Sequence, residues 1–545
     1  MKLKLLLSII IFFRKASSGE ERQPIINKKG DVFLAHTPLA SILQKAYAAA
    51  HNIMGKQTCN EQTMMTNNNI SNKDLVYQKN EKKPTQKIVI VGAGLAGLTC
   101  AYRLKQQGIS STIYEATNRI GGRCWTRRNY FEEGQIVERG GELIDTGHIE
   151  IQKLAKELGL ELDDLIAAES IGTKPFYFFD GLPYTVKDAT KDFLTIYHKL
   201  QKDLKEVGES TLYNNFTKRG FELDHMSIVD YINVTVPGGI HSKLGQLLCV
   251  AYTIEYGADV HKQSSLNLLY LLGTASNGPI QIFGKSDERF RIKGGNDQLP
   301  MLLAKKLNGQ IKFKSELIKI EQTRQNNIKF TFQNDEKEWE VLADKVVLTV
   351  PFSIMRTIDY TKAKFCSLKK IAIEELGMGI NTKLHAQFLN RFWRKIGNNG
   401  ETFADTGYQN TFEVSRAQKG KLGILVNFTG GKTAAEQCAS TDAELEKITK
   451  EFLKKLEPVL PDSKKNWNGL STIDNWLSNP WTKGSYSFWK VGQYTKFAGI
   501  EREREGNIFF AGEHTSIDYQ GYLNGAVETG ERASQELIED LSEKK

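Results

Sequence analysis

The chain has 545 residues, of which 40% are hydrophobic and 25% charged, the composition of an ordinary globular protein. Its length predicts at least two domains. The formal net charge is +9, but no block of like charges forms a basic arm, so we expect no nucleic-acid partner. The six cysteines show no CxxC pair or other metal spacing, which predicts neither a metal site nor a disulfide framework.

The N-terminus has the features of an export signal. Lys2 and Lys4 precede a short, largely apolar stretch at 5–13, which suits a signal-peptide core and is too short to span a bilayer. We therefore expect a secreted or periplasmic protein. A cytoplasmic location is the alternative, because Arg14 and Lys15 follow at once without a clear cleavage site. No later stretch approaches the roughly 20 apolar residues of a membrane span.

Residues 1–85 are predicted to be a leader rather than part of the globular body. Residues 15–84 are polar and rich in Asn, Gln and Lys, with one predicted helix over 37–54. The globular body is expected to begin near residue 85.

A nucleotide-binding pattern opens that body. Residues 87–91 are typical of a strand buried in a parallel sheet, and 98–107 have helical periodicity. Between them, Gly92, Gly94 and Gly97 form G-x-G-x-x-G, which permits a tight turn, close approach of a pyrophosphate, and close packing of helix on strand. The pattern predicts a dinucleotide with its phosphates at the helix N-terminus.

The next predicted strand, 111–114, ends at Glu115. A carboxylate at this point accepts hydrogen bonds from ribose hydroxyls and argues against the 2′-phosphate of NADP. These residues alone leave NAD and FAD both open.

The sequence RIGGR at 119–123 distinguishes the two cofactors. An acid followed by a GGR motif after a Rossmann fingerprint resembles the FAD-binding signature of the flavin amine oxidase superfamily, which contains monoamine, polyamine and L-amino-acid oxidases. The resemblance places Gly122 and Arg123 at the cofactor and implies that Arg123 contacts the FAD pyrophosphate.

The resemblance continues over most of residues 86–540. ERGGELID at 138–145, the segment from 291 to 351, NWLSNPWTKGSYSFW at 475–489 and the FAGE and GAVETG elements near the C-terminus are similar to family segments around the flavin. The further cofactor contacts that it implies are Gly140, Gly141, Leu317, Trp476, Glu513, Gly521, Tyr522 and Leu523.

Three residues are expected to act on the substrate. Lys383 lies in GINTKLHAQF, whose alternation predicts a strand and which resembles the family strand whose lysine holds a water against flavin N5. Tyr486 and Tyr522 resemble the aromatic pair that flanks the substrate amine. The simpler alternatives are an exposed strand lysine and ordinary aromatic core packing.

Two positions refine these expectations. Mammalian monoamine oxidases carry a flavin-linked cysteine where this chain has Ser485, so FAD is expected to be non-covalent. His514, beside FAGE, is interpreted as a motif neighbour rather than a base.

The predicted fold is α/β, with a Rossmann-like FAD-binding domain interleaved with a mixed α+β substrate domain. The FAD-binding domain is discontinuous, the first part of the substrate domain is helical, and the second is a mixed sheet with helices. The segments are 86–150, 286–355 and 500–540 for the FAD-binding domain, and 151–285 and 356–499 for the substrate-binding domain.

The predicted activity is FAD-dependent oxidation of an amine, with hydride transfer from the C–N carbon and electrons passed to O₂, giving H₂O₂, a carbonyl and ammonia. The expected partners are a small amine or amino acid and O₂, with a homodimer as a further expectation. An L-amino-acid oxidase is the first alternative, disfavoured because Glu142, Leu143 and Ile144 stand where many such enzymes hold the carboxylate with an arginine. Arg356 leaves that alternative open, and a redox-silent binding module is the second.

Overall fold

A computed structural model describes residues 86–543, and the predicted signal peptide, linker and helix over 37–54 lie outside them. The strand after the leader is Ile88–Val91, all four of whose residues are buried. It lies at the centre of a five-stranded parallel sheet. The strands, in spatial order, are Ile508–Phe510, Lys345–Leu348, Ile88–Val91, Ser111–Tyr114 and Ile311–Lys312.

This sheet confirms the predicted α/β fold. Ile88 pairs with both Lys345 and Ser111, so the central strands run in register and end at one edge. The first helix is Leu95–Gln106, so it begins three residues before the predicted start at residue 98, and Gly97 lies in its first turn. It packs against the C-terminal helix Leu523–Glu543.

Two further sheets and three two-stranded ribbons make up the rest of the described β-structure. The four-stranded sheet, in order, contains Glu338–Ala343, Ile328–Gln333, Glu316–Gln322 and Asp359–Lys362. The seven-stranded mixed sheet, in order, contains Trp467–Asn475, Asn381–Phe388, Gly423–Gly430, Gln409–Glu413, Asn398–Ala404, Lys174–Phe179 and Leu182–Tyr184. Three two-stranded ribbons pair Gly377–Met378 with Ser487–Phe488, Thr126–Arg127 with Val137–Glu138, and Leu162–Asp164 with Phe290–Ile292.

Helices cover these sheets and concentrate between residues 149 and 272. The remaining α-helices are Ile149–Glu157, Val186–Val207, Lys218–Asp224, Ile228–Thr235, Lys243–Tyr256, Ser265–Leu272, Gln298–Lys306, Phe352–Met355, Ser367–Glu375, Gly431–Glu436, Asp442–Leu456, Ser463–Asn466 and Gln493–Phe497. The 3₁₀ turns are Glu132–Gly134, Gly239–His241, Phe392–Ile396 and Glu513–Thr515. Within residues 86–543, no helix combines the length and apolar character that a bilayer crossing needs.

The parallel sheet draws its strands from the three separated segments assigned to FAD binding, and the seven-stranded sheet from the two segments assigned to substrate. Asp359–Lys362, however, pairs with Glu316–Gln322 across the proposed boundary at residue 355. The division into domains stays a prediction.

Candidate active site

A cavity of about 540 Å³ lies at the edge where the central parallel strands end. Gly92 has a φ of 106°, and a Cβ there would lie 2.4 Å from Thr349 Oγ1, so only glycine fits. A Cβ on Gly97 would lie 2.1 Å from the Gly92 carbonyl oxygen. A Cβ on Gly94 would meet nothing within 4 Å, because Gly94 faces the cavity. The glycines therefore build a turn, a close packing contact and an open cradle.

Glu115 fixes the shape of this cradle. One carboxylate oxygen accepts a hydrogen bond from the Ala93 N–H at 2.8 Å. The other accepts from the Thr117 N–H at 2.9 Å and the Thr117 hydroxyl at 2.8 Å. The acid thus ties the fingerprint loop to the turn after the second strand while it lines the cavity.

Arg123 and Glu513 form an ion pair of 2.6 Å between Nη1 and Oε1 at the same cavity. Glu513 also accepts hydrogen bonds from the Ser487 hydroxyl at 2.6 Å and the Gly521 N–H at 2.9 Å. Burial alone would raise the pKa of Glu513, but the positive charge of Arg123 and these donors lower it. Two segments far apart in the chain are thereby held together.

These residues fit FAD. The cradle offers open backbone, a partly buried arginine and the N-terminus of Leu95–Gln106, which no side chain caps. Free N–H groups and the helix dipole favour a pyrophosphate at such a point. The predicted cofactor residues that line the cavity are Gly92, Gly94, Glu115, Gly122, Arg123, Gly141, Leu317, Glu513, Gly521, Tyr522 and Leu523.

Three predicted cofactor residues lie elsewhere. Gly97 is a packing residue beneath the loop. Gly140 and Trp476 line the adjoining cavity, where a Cβ on Gly140 would lie 2.8 Å from the Trp476 ring. Trp476 Nε1 donates to the Arg139 carbonyl at 2.8 Å, which holds the indole against this loop.

The adjoining cavity has a volume of about 320 Å³. The residues that line both cavities are Arg123, Gly141, Ser485, Tyr486, Gly521, Tyr522 and Leu523. The second cavity also has apolar walls, formed by Phe283, Phe403, Phe412 and Phe428 among others. A molecule bound in the second cavity would therefore lie next to the cofactor cavity at Tyr486 and Tyr522.

Tyr486 and Tyr522 are anchored through Glu255. The Tyr486 hydroxyl donates to the Glu255 carbonyl at 2.5 Å, and the Tyr522 hydroxyl donates to Glu255 Oε1 at 3.1 Å. Burial, and next the negative charge of Glu255, raises the pKa of both hydroxyls well above its usual value. The tyrosines stay neutral and face the cavity rather than an aromatic core.

Lys383 is not an exposed strand lysine. It is 6% exposed in Asn381–Phe388, a strand that is buried along its whole length. Its ammonium donates to Glu142 Oε2 at 2.7 Å, the Gly140 carbonyl at 2.9 Å and the Glu138 carbonyl at 3.3 Å. Glu142 also pairs with Arg291 at 3.3 Å. The ammonium is thus held at the loop beside the cavity, and the longest of its three bonds is the weakest.

The sequence analysis missed the charged lining of the second cavity. Glu255, Glu288, Glu401 and Arg416 all face it. They come from a helix, two loops and a strand that share no motif, so no local pattern signalled them.

Arg356, a candidate for holding a carboxylate, and His514, the neighbour of the FAGE motif, lie outside both cavities. Arg356 donates to the carbonyls of Ile373 and Leu376. His514 is buried, and burial lowers its pKa to about 3, so it is neutral at physiological pH.

Ser485, at the position of the covalent cysteine, donates to Asn381 Oδ1 at 2.6 Å.

The fold and the two joined cavities define a dinucleotide-binding flavoprotein with an enclosed substrate site. Residues 95–538 match the family model for flavin containing amine oxidoreductases, and the chain belongs to that family. It is a flavin-containing amine oxidase with FAD as its cofactor.

Individual relatives are distant. A flavin-containing amine oxidase of Oncorhynchus mykiss is 24% identical, covering 83% of this chain and 86% of the relative. A nicotine dehydrogenase of Pseudomonas putida is 26% identical, covering 84% and 89%. The solved cyclohexylamine oxidase of Brevibacterium oxydans is 21% identical and superimposes with a TM-score of 0.72, covering 84% of this chain and 100% of that one. This last likeness shows the fold.

Proposed function

We propose that the protein oxidises the C–N bond of small amines with O₂ as the electron acceptor. The observation that carries the proposal is the meeting of a dinucleotide cavity and an apolar cavity at Tyr486 and Tyr522, beside the buried Lys383. FAD bound in the first cavity would supply the redox chemistry, as the acceptor of the substrate hydride and the donor of two electrons to O₂.

The chain's own residues orient the substrate. The neutral rings of Tyr486 and Tyr522 face the cavity where they adjoin the cofactor site, so an amine between them is oriented by contacts of its N–H groups and flanking carbons with the rings. The enclosed apolar walls exclude bulk water, which favours the uncharged amine. Lys383 is the proposed donor to a water beside the reacting atoms, in place of its longest bond, to the Glu138 carbonyl.

The reaction balances as amine plus O₂ plus water giving carbonyl, ammonia and H₂O₂. The carbon next to nitrogen loses a hydride, the nitrogen loses a proton, and the resulting imine is hydrolysed. A secondary amine releases a smaller amine instead of ammonia.

An L-amino-acid oxidase is the second candidate, and one observation favours it. Arg416 lines the substrate cavity and offers a guanidinium to a carboxylate. Against this, Arg416 already pairs with Glu169 at 3.4 Å, and the position after Gly141 is the acidic Glu142. The amine therefore has the stronger support.

The test is oxygen uptake and peroxide release by the purified holoprotein over primary, secondary and aromatic amines and L-amino acids. Anaerobic mixing tests the electron acceptor separately, which matters because one relative is named a dehydrogenase. Bleaching of the flavin by an amine without oxygen consumption in air would refute O₂ as acceptor. No bleaching by any compound would favour the redox-silent module.

A further inference from the structure

Three glutamates in the substrate cavity have no cationic partner among the described residues. Glu255 is the penultimate residue of the helix Lys243–Tyr256, Glu288 lies in a loop, and Glu401 lies in the strand Asn398–Ala404. Within residues 86–543, no lysine, arginine or histidine nitrogen lies within 4.0 Å of their oxygens. Among the residues that the structure describes, the side-chain donor to Glu255 is the neutral Tyr522 hydroxyl.

The other glutamates of the cavity are neutralised. Glu142 pairs with Lys383 at 2.7 Å, Glu169 with Arg416 at 3.4 Å, and Glu413 with Arg394 at 2.8 Å. Arg123, which also lines the cavity, pairs with Glu513, so the cations of the lining are already engaged. The three unpaired glutamates have no cation of the protein to stabilise their ionised form, and a cationic ligand would supply that charge.

Glu288 is close enough to Glu255 and Glu401 for their charges to affect its pKa. Burial, and next the negative charges of Glu255, Asp145 and Glu401, raise its pKa well above the usual value. Like charges that face one enclosed space repel each other, and a cation placed among them relieves that repulsion. The absence of a cation within 4.0 Å of these carboxylates among the described residues and the repulsion between them both favour a cationic ligand over a neutral or anionic one.

The remaining lining suits a hydrocarbon chain. Phe283, Phe403, Phe412 and Phe428 present ring faces and edges between the acids, and aromatic faces attract both methylenes and ammonium groups. The cavity therefore alternates apolar surface with negative charge.

We propose that the substrates are aliphatic diamines or polyamines, whose reacting nitrogen lies at Tyr486 and Tyr522 while a distal ammonium is bound by Glu288 and Glu401. The inference rests on the proposed amine oxidation and specifies its substrate class. The bonds formed and broken at the reacting carbon are those already given, and the distal ammonium undergoes no chemistry.

The experiment compares 1,8-diaminooctane with n-octylamine, which have the same carbon chain and differ in one distal ammonium. The holoenzyme is assayed at about pH 8, above the pKa of about 7 to which burial raises Glu255, and a bound ammonium lowers the raised pKa of Glu288. We expect kcat/KM to favour the diamine by roughly tenfold or more, the effect of one charge-assisted contact. Glu288→Gln combined with Glu401→Gln should bring the ratio close to unity by lowering kcat/KM for the diamine.

Glu161→Gln is the matched control, because Glu161 is an exposed acid paired with Lys293 outside the cavity. Its ratio should equal that of the wild type. Flavin content and melting temperature of every variant establish that it is folded, and the single variants Glu288→Gln and Glu401→Gln serve if the double variant is not.

The outcomes separate the substrate inference from the proposed function. Oxidation of octylamine as efficiently as the diamine, or preference for an L-amino acid that Arg416→Ala abolishes, overturns the diamine inference. If no amine is oxidised, anaerobic titration of the flavin absorbance with each compound still measures binding. If the diamine then binds more tightly than octylamine, and Glu288→Gln and Glu401→Gln remove the difference, the substrate inference is supported although the proposed function fails. Equal binding of the diamine and octylamine overturns the substrate inference.

Discussion

Lys383 shows how a single residue acquires a special environment from its neighbours. A lysine ammonium with 6% exposure is stable only when its donors are satisfied, and Glu142 supplies the compensating charge. Glu142 is also shared with Arg291, so the three side chains form one buried charge network. The network holds the ammonium at the 320 Å³ cavity, next to the loop that carries Gly140.

We expect Lys383→Met to retain FAD and to slow reoxidation of the flavin by O₂ more than its anaerobic reduction by substrate. Methionine keeps the length of the side chain and removes the charge and the donors. Stopped-flow absorbance measures the two half-reactions separately. Lys312→Met is the control, because Lys312 is an exposed strand lysine outside both cavities.

The Lys383→Met substitution leaves Glu142 with only the 3.3 Å contact to Arg291, so Lys383→Met/Glu142→Gln tests whether any loss comes from an unpaired acid. Wild-type rates for both half-reactions would reduce Lys383 to a structural residue. Loss of FAD in both variants would contradict its catalytic assignment.

Arg123→Ala is expected to weaken FAD binding by about 2–4 kcal/mol, because a charge-assisted contact to the pyrophosphate is lost and Glu513 is left without its cation. Glu115→Ala should act in the same direction but less, since that carboxylate mainly holds the backbone of the cradle. Equilibrium dialysis of the apoprotein against FAD gives both affinities. Wild-type affinity in both variants would refute the assigned cradle.

Glu138 should make stability depend on pH. It is fully buried, and burial raises its pKa to about 7, so in the folded protein it is protonated below that pH while the unfolded chain ionises from about 4.5. Its contribution to stability is therefore present below pH 4.5 and lost as pH rises through 7.

Relative to Glu138→Gln, the wild type should lose on the order of a few degrees of melting temperature between pH 5 and 8. Thermal melts followed by flavin fluorescence measure the difference. The exposed Glu161→Gln should show no such trend. A constant difference between wild type and Glu138→Gln across this range would show that Glu138 is ionised in the fold.

At the scale of elements, the turn between Ile88–Val91 and Leu95–Gln106 separates folding from binding. We expect Gly97→Ala to destabilise the protein, because its Cβ would lie 2.1 Å from a backbone oxygen. Gly94→Ala should fold normally but bind FAD on the order of tenfold more weakly, about 1.4 kcal/mol, because its Cβ would occupy the cradle.

Melting of the two apoproteins and their FAD affinities distinguish these effects. Equal melting temperatures for Gly94→Ala and Gly97→Ala would contradict the separation. Unchanged FAD affinity in Gly94→Ala would show that the cofactor does not approach this point of the loop.

The strand Asn381–Phe388 is a second element whose environment differs from its pattern. Alternating side chains around Lys383 correctly predict a strand, and alternation is typical of one exposed face. All eight residues are nevertheless buried, because the strand pairs on both sides within the seven-stranded sheet and both its faces are covered.

At the scale of the whole molecule, FAD should be held without a covalent bond at the position of Ser485. Its hydroxyl donates to Asn381 and has no thiol chemistry to offer. We expect acid precipitation to release all the flavin into the supernatant, measured by its absorbance. Flavin that stays with the denatured protein would reveal another attachment site.

The sequence by itself determined the fold class and the dinucleotide-binding turn, while the choice of FAD over NAD came from the resemblance to the flavin amine oxidases. Strand, glycine turn, helix and acid follow one another within a short segment, so the period of the side chains and the steric freedom of glycine are enough to predict them. Gly92, Gly94 and Glu115 lie where those local rules place them. The same rules could not tell that Gly97 packs beneath the loop while Gly94 faces the cavity.

Only the tertiary structure decided the charges of the substrate site. Lys383 meets Glu142 across 241 positions of the chain, and Arg123 meets Glu513 across 390. Glu255, Glu288 and Glu401 reach one cavity from a helix, a loop and a strand. Periodicity reports which face of its own element a side chain occupies, whereas a charge's partner depends on which distant element packs opposite, and that is set by the folding of the whole chain.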